Sequence, residues 1–506
     1  MKKIITLICI AYLAIGCSDL EENPVGLLAP ESFFQTTDDL QAAVNGSFAY
    51  MASEKYWGRK LSLALLLRGD MADIGDQTTS AYRIDVNNFT MNDDNAMVTN
   101  FWPQSYAIIG AANQAIDGAE LLSGDQDKIN AVAAQAYFAR AFAYYNLVRL
   151  FGEIPYIDFA VSDISTVESI SKSSVDAVYA GIVADLEFAK KWLPDTQPTR
   201  SLPSKATAAA YLASVYLTLG EHAKSYTEAK YVITNKGKFN VGLDPDYQNL
   251  FNADKVGSSN EPLFTIDFIG QSRDGDLGQD YLASVTGIRG NITFSYGEGW
   301  SVAVPSLKVY NDWDGRDYRK AVSLDTVATF KNVGLQPYTV FKNYNGRAVN
   351  RPHIAKYYRM IGIAGNNGRE SSSNYITMRY AEVLLTAAEA LNETTPGSSE
   401  AAGYVNEVRT RARLGGGTPS AYPANLASGL NQADLRKAIL EERRIELAFE
   451  FGRWFDIKRL GIGNEAFGPN GFEPQPNFTA SRDYLFPLPA DELARNTNLQ
   501  PNNPGY

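Results

Sequence analysis

Toward the end of the chain, residues 441–460 read EERRIELAFEFGRWFDIKRL, a run of charges set in an apolar frame. Good helix formers fill it, with no Pro and no Gly before Gly452, so the pattern predicts a helix over residues 432–451. Leu435, Ile439, Leu447, Phe449, Phe451, Trp454 and Phe455 leave little polar surface, so several of Glu442, Arg443, Glu446, Arg453 and Asp456 must lie against apolar neighbours. Charges taken out of water in this way need partners. Arg443 with Glu446 and Arg453 with Asp456 have a spacing that suits pairing along one helix face, and the remainder must pair with other elements. Dense carboxylates on a helix also suit a metal, but helical metal sites usually add imidazole, as in Glu-x-x-His, and this run has none. The expectation is an ion-pair network that locks a long helix against its neighbours.

Other stretches carry helical periodicity. Residues 38–50 place Leu40, Ala43, Val44 and Phe48 on one face, with Thr36 or Thr37 as cap. Residues 103–122 and 126–150 form a pair around Ser123-Gly124-Asp125. A second pair spans 174–193 and 204–219 and leads into 221–233. Leu212-Ala213, Tyr216, Gly220 and Ala229 resemble a tetratricopeptide repeat, although the pairs do not recur at a fixed 34-residue period. Further helices are expected at 376–392 and 399–413. Two excursions, about 69–100 and 237–373, are rich in Gly, Asn, Asp, Ser and aromatics, with short strand-like runs such as 263–269. Excursions that long in a compact protein usually carry function. The fold class expected is mostly α, helical hairpins forming a scaffold with long irregular loops and minor β.

The start of the chain is an address. Lys2 and Lys3 precede an almost wholly apolar run over 4–15, too short to span a bilayer, which needs about 20 residues. Ala14-Ile15-Gly16-Cys17 resembles a lipobox, with Leu13 one place earlier than the commonest pattern; the other reading is an ordinary signal peptide with a chance cysteine. Residues 1–16 are thus expected to be a lipoprotein signal peptide, 17–30 an acylated Cys17 and acidic tether, and 31–506 one domain. Both cysteines, Cys9 and Cys17, precede that domain, so it has no internal disulfide to draw on. A formal net charge of −11 repels nucleic acid and anionic head groups, which argues against a nucleic-acid partner.

The sequence offers little for catalysis. His222 and His353 are the only histidines, so any imidazole relay would have to use one of them. Gly415-Gly416-Gly417 lacks the Lys-Ser or Lys-Thr of a phosphate loop. Asp312, Asp314, Gly315 and Asp317 hint at a calcium loop, but Ser323 stands where the bidentate Glu would be, so the run reads as structural, with Arg316 and Arg319 expected to pair with acids. No cofactor, metal or catalytic residue is expected.

Residues 442–459, ERRIELAFEFGRWFDIKR, resemble the C-terminal signature of the SusD/RagB family of outer-membrane nutrient-binding lipoproteins. Further matches follow in chain order: Phe101-Trp102 with Tyr106 and Asn113; Arg140-Ala141-Phe142 leading to Phe151-Gly152-Glu153; Met378-Arg379-Tyr380-Ala381-Glu382; Asn406-Glu407-Val408-Arg409; and Pro487-Leu488-Pro489 with the ending 498–506. The resemblance implies capture without chemistry. It implies a surface-exposed lipoprotein of the outer membrane, held by its lipid anchor, that binds an oligosaccharide or polysaccharide and delivers it to a SusC-like TonB-dependent transporter. Peptide capture of the RagB kind and a surface glycoside hydrolase are the alternatives. Ser18-Asp19-Leu20-Glu21-Glu22 resembles the acidic tether of surface-exported lipoproteins in bacteria that carry this family.

Sugar rings stack their apolar faces on Trp and Tyr, while their hydroxyls seek Asp, Asn and Arg. The two excursions hold both kinds: Asp73, Tyr82 and Arg83 in the first, Tyr296, Trp300 and Tyr338 in the second. Trp300 is the leading candidate, because Gly297 and Gly299 would let its ring stand clear of the backbone. Trp57, Trp102, Trp192, Trp313 and Trp454 lie in or beside helical patterns and are expected in the core.

Overall fold

A computed structural model describes residues 30–271, 277–293, 299–341, 347, 349–365 and 368–506. Cys17 with its signal and tether, and Tyr296, lie outside the described residues.

Helices α1 (Thr37–Met51), α2 (Lys60–Leu67), α3 (Ala81–Asn88), α4 (Val98–Leu121), α5 (Gln126–Phe151), α6 (Val175–Trp192), α7 (Lys205–Thr218), α8 (His222–Thr234), α9 (Tyr380–Thr394), α10 (Ser399–Leu414), α11 (Gln432–Glu446) and α12 (Arg453–Leu460) carry the fold. Successive members from α4 to α8 pack side by side, and α9 then packs on α8, α10 and α11, so chain order becomes a stack of helical hairpins. Local chemistry sets the helix starts. Thr36 closes a capping box with Asp39, and Ser174 and Ser204 cap α6 and α7. One buried apolar cluster runs from Phe34 to Leu499, with two smaller clusters under the second excursion. No helix among the described residues is long and apolar enough to cross a membrane.

Four antiparallel strand pairs complete the body: β1 (Ala72–Ile74) with β3 (Ala303–Pro305), β2 (Pro262–Ile266) with β8 (Tyr375–Arg379), β4 (Leu324–Asp325) with β7 (His353–Ile354), and β5 (Val327–Phe330) with β6 (Gly334–Pro337). Three expectations change here. The helix expected from residue 376 begins at Tyr380, because residues 375–379 are drawn into pairing with β2. The first excursion is not irregular throughout, since it contains β1 and α3, and α4 starts at Val98.

The third change concerns the charged run, whose helix ends at Glu446 and resumes at Arg453. Long-range donors capture the carbonyls that a continuing helix would use. Tyr247 donates to Glu446 O at 2.6 Å, Arg379 Nη2 to the same oxygen at 2.7 Å, and Tyr357 to Phe449 O at 2.9 Å, with Phe449 left-handed at φ 61°. The ion-pair network is present, but in place of Arg443 with Glu446 and Arg453 with Asp456 most of its partners come from other elements. Glu446 meets Arg319, Arg379 and Arg411; Arg443 meets Glu382 and Asp456; Arg453 meets Asp70; Arg459 meets Glu389 and Asp456. The three arginines outweigh burial and hold the Glu446 carboxyl well below the usual range. Arg316 and Arg319 pair with Asp314 and Asp317 as expected.

Candidate functional site

Trp300 sits where the two excursions meet. β1 lies against β3, and the pairing continues as Gly75 N donates to Val302 O and Asp76 N to Ser301 O, both at 2.8 Å. The buried Asp76 carboxylate takes Arg289 Nη2 at 2.9 Å and ion-pairs with Arg347 at 2.5 Å. Arg289 Nη2 also donates to Trp300 O at 2.9 Å, and Trp300 N donates to Ser284 O at 2.6 Å. The indole is therefore anchored on both sides of its backbone.

Two neighbours explain why the chain turns there. A Cβ on Gly299 would fall 1.9 Å from the Gly287 carbonyl carbon, so close backbone approach, rather than freedom of the ring, demands glycine. Ser301 is left-handed at φ 52°, a conformation that costs an L-residue roughly 1–2 kcal/mol. Its hydroxyl secures it by accepting from Arg289 N at 2.9 Å and meeting His353 Nε2 at 2.7 Å. Burial pushes the His353 imidazole down to about 3, so it is neutral. Its Nδ1 faces Arg351 O at 2.9 Å and must carry the proton, which leaves Nε2 to accept from Ser301 Oγ. His353 is a strut for the Trp300 turn.

Around the half-buried indole the structure assembles rings and cations from distant segments. Tyr281 lies 5.9 Å from Trp300, ring centre to ring centre. The Arg83 guanidinium is 5.9 Å from the Trp300 ring and 5.5 Å from that of Tyr82; Arg369 is 6.0 Å from Trp300 and 5.6 Å from Tyr281. Arg59 covers Tyr281 at 4.3 Å, and Lys60 Nζ lies 4.6 Å from the Tyr82 ring. Burial raises the Tyr82 phenol, but Arg83, Lys60 and Arg59 outweigh it and hold its pKa below the usual value. Such an arrangement can stack a ring and meet negative charge. Among the described residues it brings no nucleophile and base together.

Tyr82, Arg83 and Trp300 thus converge, whereas Asp73 and Tyr338 have other partners. Asp73 accepts from Ile74 N at 2.7 Å, Asn87 Nδ2 at 3.0 Å and Arg351 Nη1 at 3.2 Å. Tyr338 stacks edgewise on Tyr310 at 5.5 Å. Trp57, Trp102, Trp313 and Trp454 are buried as expected, while Trp192, at the end of α6, is partly exposed. Arg59, Lys60, Tyr281 and Arg369 were not among the sequence candidates. Lys60 directly precedes the buried run over 61–67, where a lysine ordinarily buries its stem and keeps its ammonium in water, so nothing in the sequence signals its buried head.

Two family models match, the SusD family over residues 306–506 and a family described as starch-binding associating with outer membrane over 31–217. A SusD-like protein of Formosa agariphila, P2, is 68% identical over the whole of both chains. Among solved structures, a SusD homologue of Bacteroides thetaiotaomicron superposes with a TM-score of 0.82 at 21% identity, covering 94% of this chain and 98% of its own. A laminarin-binding SusD-like protein gives 0.76 at 24% identity, covering 93% and 100%.

Proposed function

The chain belongs to the SusD-like family, and from that premise we propose that it captures a glycan at the outer-membrane surface, without chemistry, for a SusC-like TonB-dependent transporter. The observation that carries the reading is the convergence of Trp300, Tyr281 and Tyr82 with Arg83 at the junction of the two excursions. Aromatic faces and fixed guanidinium donors are what sugar recognition needs. The relatives point the same way by name, one laminarin-binding and one family starch-binding.

In this reading the body over 31–506 is one domain and Cys17 is its acylated anchor. Anchoring at the mouth of a transporter raises the effective concentration of captured ligand, so modest affinity suffices. Trp300, Tyr82 and Arg83 contact the ligand, and Tyr338 with Tyr310 forms a second aromatic pair for a longer chain.

Calorimetric titration of residues 18–506 against a glycan panel, beside Trp300→Ala, tests the site. Truncating a central aromatic costs about 2 kcal/mol, roughly 30-fold in affinity. Heat from one glycan class, weakened to that degree in the variant and with no new reducing ends, is the expected result. Binding to peptides alone overturns the glycan reading, and release of reducing ends overturns the capture reading. Purification from solubilised outer membranes without a barrel protein would count against the transporter.

A further inference from the structure

Lys60 and Arg83 break a rule that the rest of the protein keeps. Among the described residues, every other buried lysine or arginine meets a carboxylate: Arg68 meets Asp483, Arg140 meets Asp185, Lys356 meets Glu450, Arg443 meets Asp456, Arg444 meets Glu441, and the arginines around Glu446 share several acids. Lys60 and Arg83 are each only 6% exposed, and neither has an ion pair with a described residue. Lys60 Nζ makes no hydrogen bond to a described residue; its contact is the Tyr82 ring. Arg83 gives one bond, Nη1 to Thr79 Oγ1 at 2.9 Å, and its buried Nε has no partner. Both lie over the same ring, with Arg59 close by.

Burying a cation without a counter-charge is strongly unfavourable even after relaxation, and a cation–π contact offsets only part of that cost. Here like charges crowd one ring, which adds repulsion. The Glu54 carboxylate nearby is already engaged by Arg59. Among the described residues no anion is left to answer this pair, although the chain, at −11, has acids in excess.

We propose that the glycan is anionic, with a sulfate ester or uronate carboxylate seated between Lys60 and Arg83 while its ring lies on Trp300. The proposal rests on the glycan-capture reading above and specifies the substrate class. A guanidinium offers a planar fork to two anionic oxygens and an ammonium offers a point charge, so the pair binds sulfate or carboxylate more strongly than a neutral hydroxyl, which accepts a hydrogen bond but brings no counter-charge. The depressed pKa values of Lys60, from burial and then Arg59, and of Tyr82 accord with uncompensated positive charge at this place.

The test titrates residues 18–506 with dextran sulfate, chondroitin sulfate, alginate and polygalacturonate, each beside its desulfated or carboxyl-reduced form, at two salt concentrations. At least one anionic polymer should bind more than about tenfold tighter than its uncharged form, because a hydrogen bond to a charged group contributes roughly 1.5–3 kcal/mol, and more weakly as salt rises. The sulfated and uronate arms tell the two anion sources apart. Lys60→Met and Arg83→Met should each weaken that binding by about tenfold or more, with melting temperatures unchanged or raised, since a buried unpaired charge is removed. Arg83→Lys, which keeps the charge and loses the fork, should weaken it less. Binding confined to neutral glycans overturns this inference and leaves glycan capture standing. Binding to no glycan, charged or neutral, overturns both. Anionic binding that survives the Lys60→Met/Arg83→Met double substitution overturns it too.

Discussion

Glu446→Gln tests whether the buried charges hold the helical body together. The Glu446 side chain is fully buried in the last turn of α11, with Arg379 Nη1 at 2.6 Å on Oε1, Arg319 Nη1 at 2.8 Å on Oε2, and Arg411 also on Oε1. Glutamine keeps the shape but removes the charge and turns an NH2 toward a guanidinium. The loss is limited because every arginine retains another acid: Arg319 keeps Asp317 and Glu442, Arg379 keeps Glu261 and Glu450, and Arg411 keeps Glu261. One uncompensated buried charge remains, for which about 3–5 kcal/mol is the measured scale. Unfolding entropy of about 2.1 cal/mol/K per residue gives a chain of this length roughly 1 kcal/mol per degree, so the melting temperature should fall by about 3–5 °C. Calorimetry of residues 18–506 reads it, with Glu441→Gln as reference, since Glu441 is half exposed and its pair with Arg444 should contribute less than about 1 kcal/mol. The sign with pH is also set. Because the folded Glu446 pKa is depressed, its contribution is complete above the unfolded value of about 4.3 and is lost as pH falls below it, so native and variant should converge in acid. Equal small losses for Glu446→Gln and Glu441→Gln would refute the reasoning.

Two further substitutions probe the ground beneath the site. Burial pushes the Asp280 carboxyl up to about 7 although it accepts from Ser371 N at 2.5 Å and Tyr375 Oη at 3.1 Å. Its folded pKa exceeds the unfolded value of about 3.9, so native stability carries a penalty that grows as pH rises from about 4 to 7. Asp280→Asn should therefore gain on the native protein between pH 4 and pH 8 in denaturant titrations, and a constant difference would sink the argument. Gly299→Ala drives a methyl into Gly287 and should cost roughly 1–3 kcal/mol while weakening glycan binding as Trp300→Ala does. Gly315→Ala, where a Cβ meets open space, is the control, and the same loss at both positions would refute the close-approach account.

Much of the scaffold was legible because its signals are local. Apolar spacing of three and four residues, with a Thr cap for α1, located α1 and α5–α8 to within a residue or two. The demand that the charges of 441–460 find partners also followed from sequence, since burial of Leu435, Ile439 and Trp454 leaves those charges no route to water. Which partners they take did not. Arg319, Arg379 and Arg411 come from β8 and from separate helices, and no local spacing encodes contacts that reach Glu446 across 127, 67 and 35 residues. Arg379 and Tyr247, both distant in sequence, ended α11 at Glu446, where propensity alone would have carried it on.

The candidate site divides in the same way. Residue type and loop composition singled out Tyr82, Arg83 and Trp300, because rings and guanidinium groups in polar excursions have a chemistry that can be read one residue at a time. Tertiary structure decided that these three meet, that Asp73 is held by Arg351 instead, and that Lys60 joins them from the first turn of α2. The sequence by itself determined the paired helices of the scaffold and that buried charge must be answered, since both follow from neighbours along the chain. Only the folded structure decided where charge goes unanswered, because an absent partner is a property of three-dimensional surroundings.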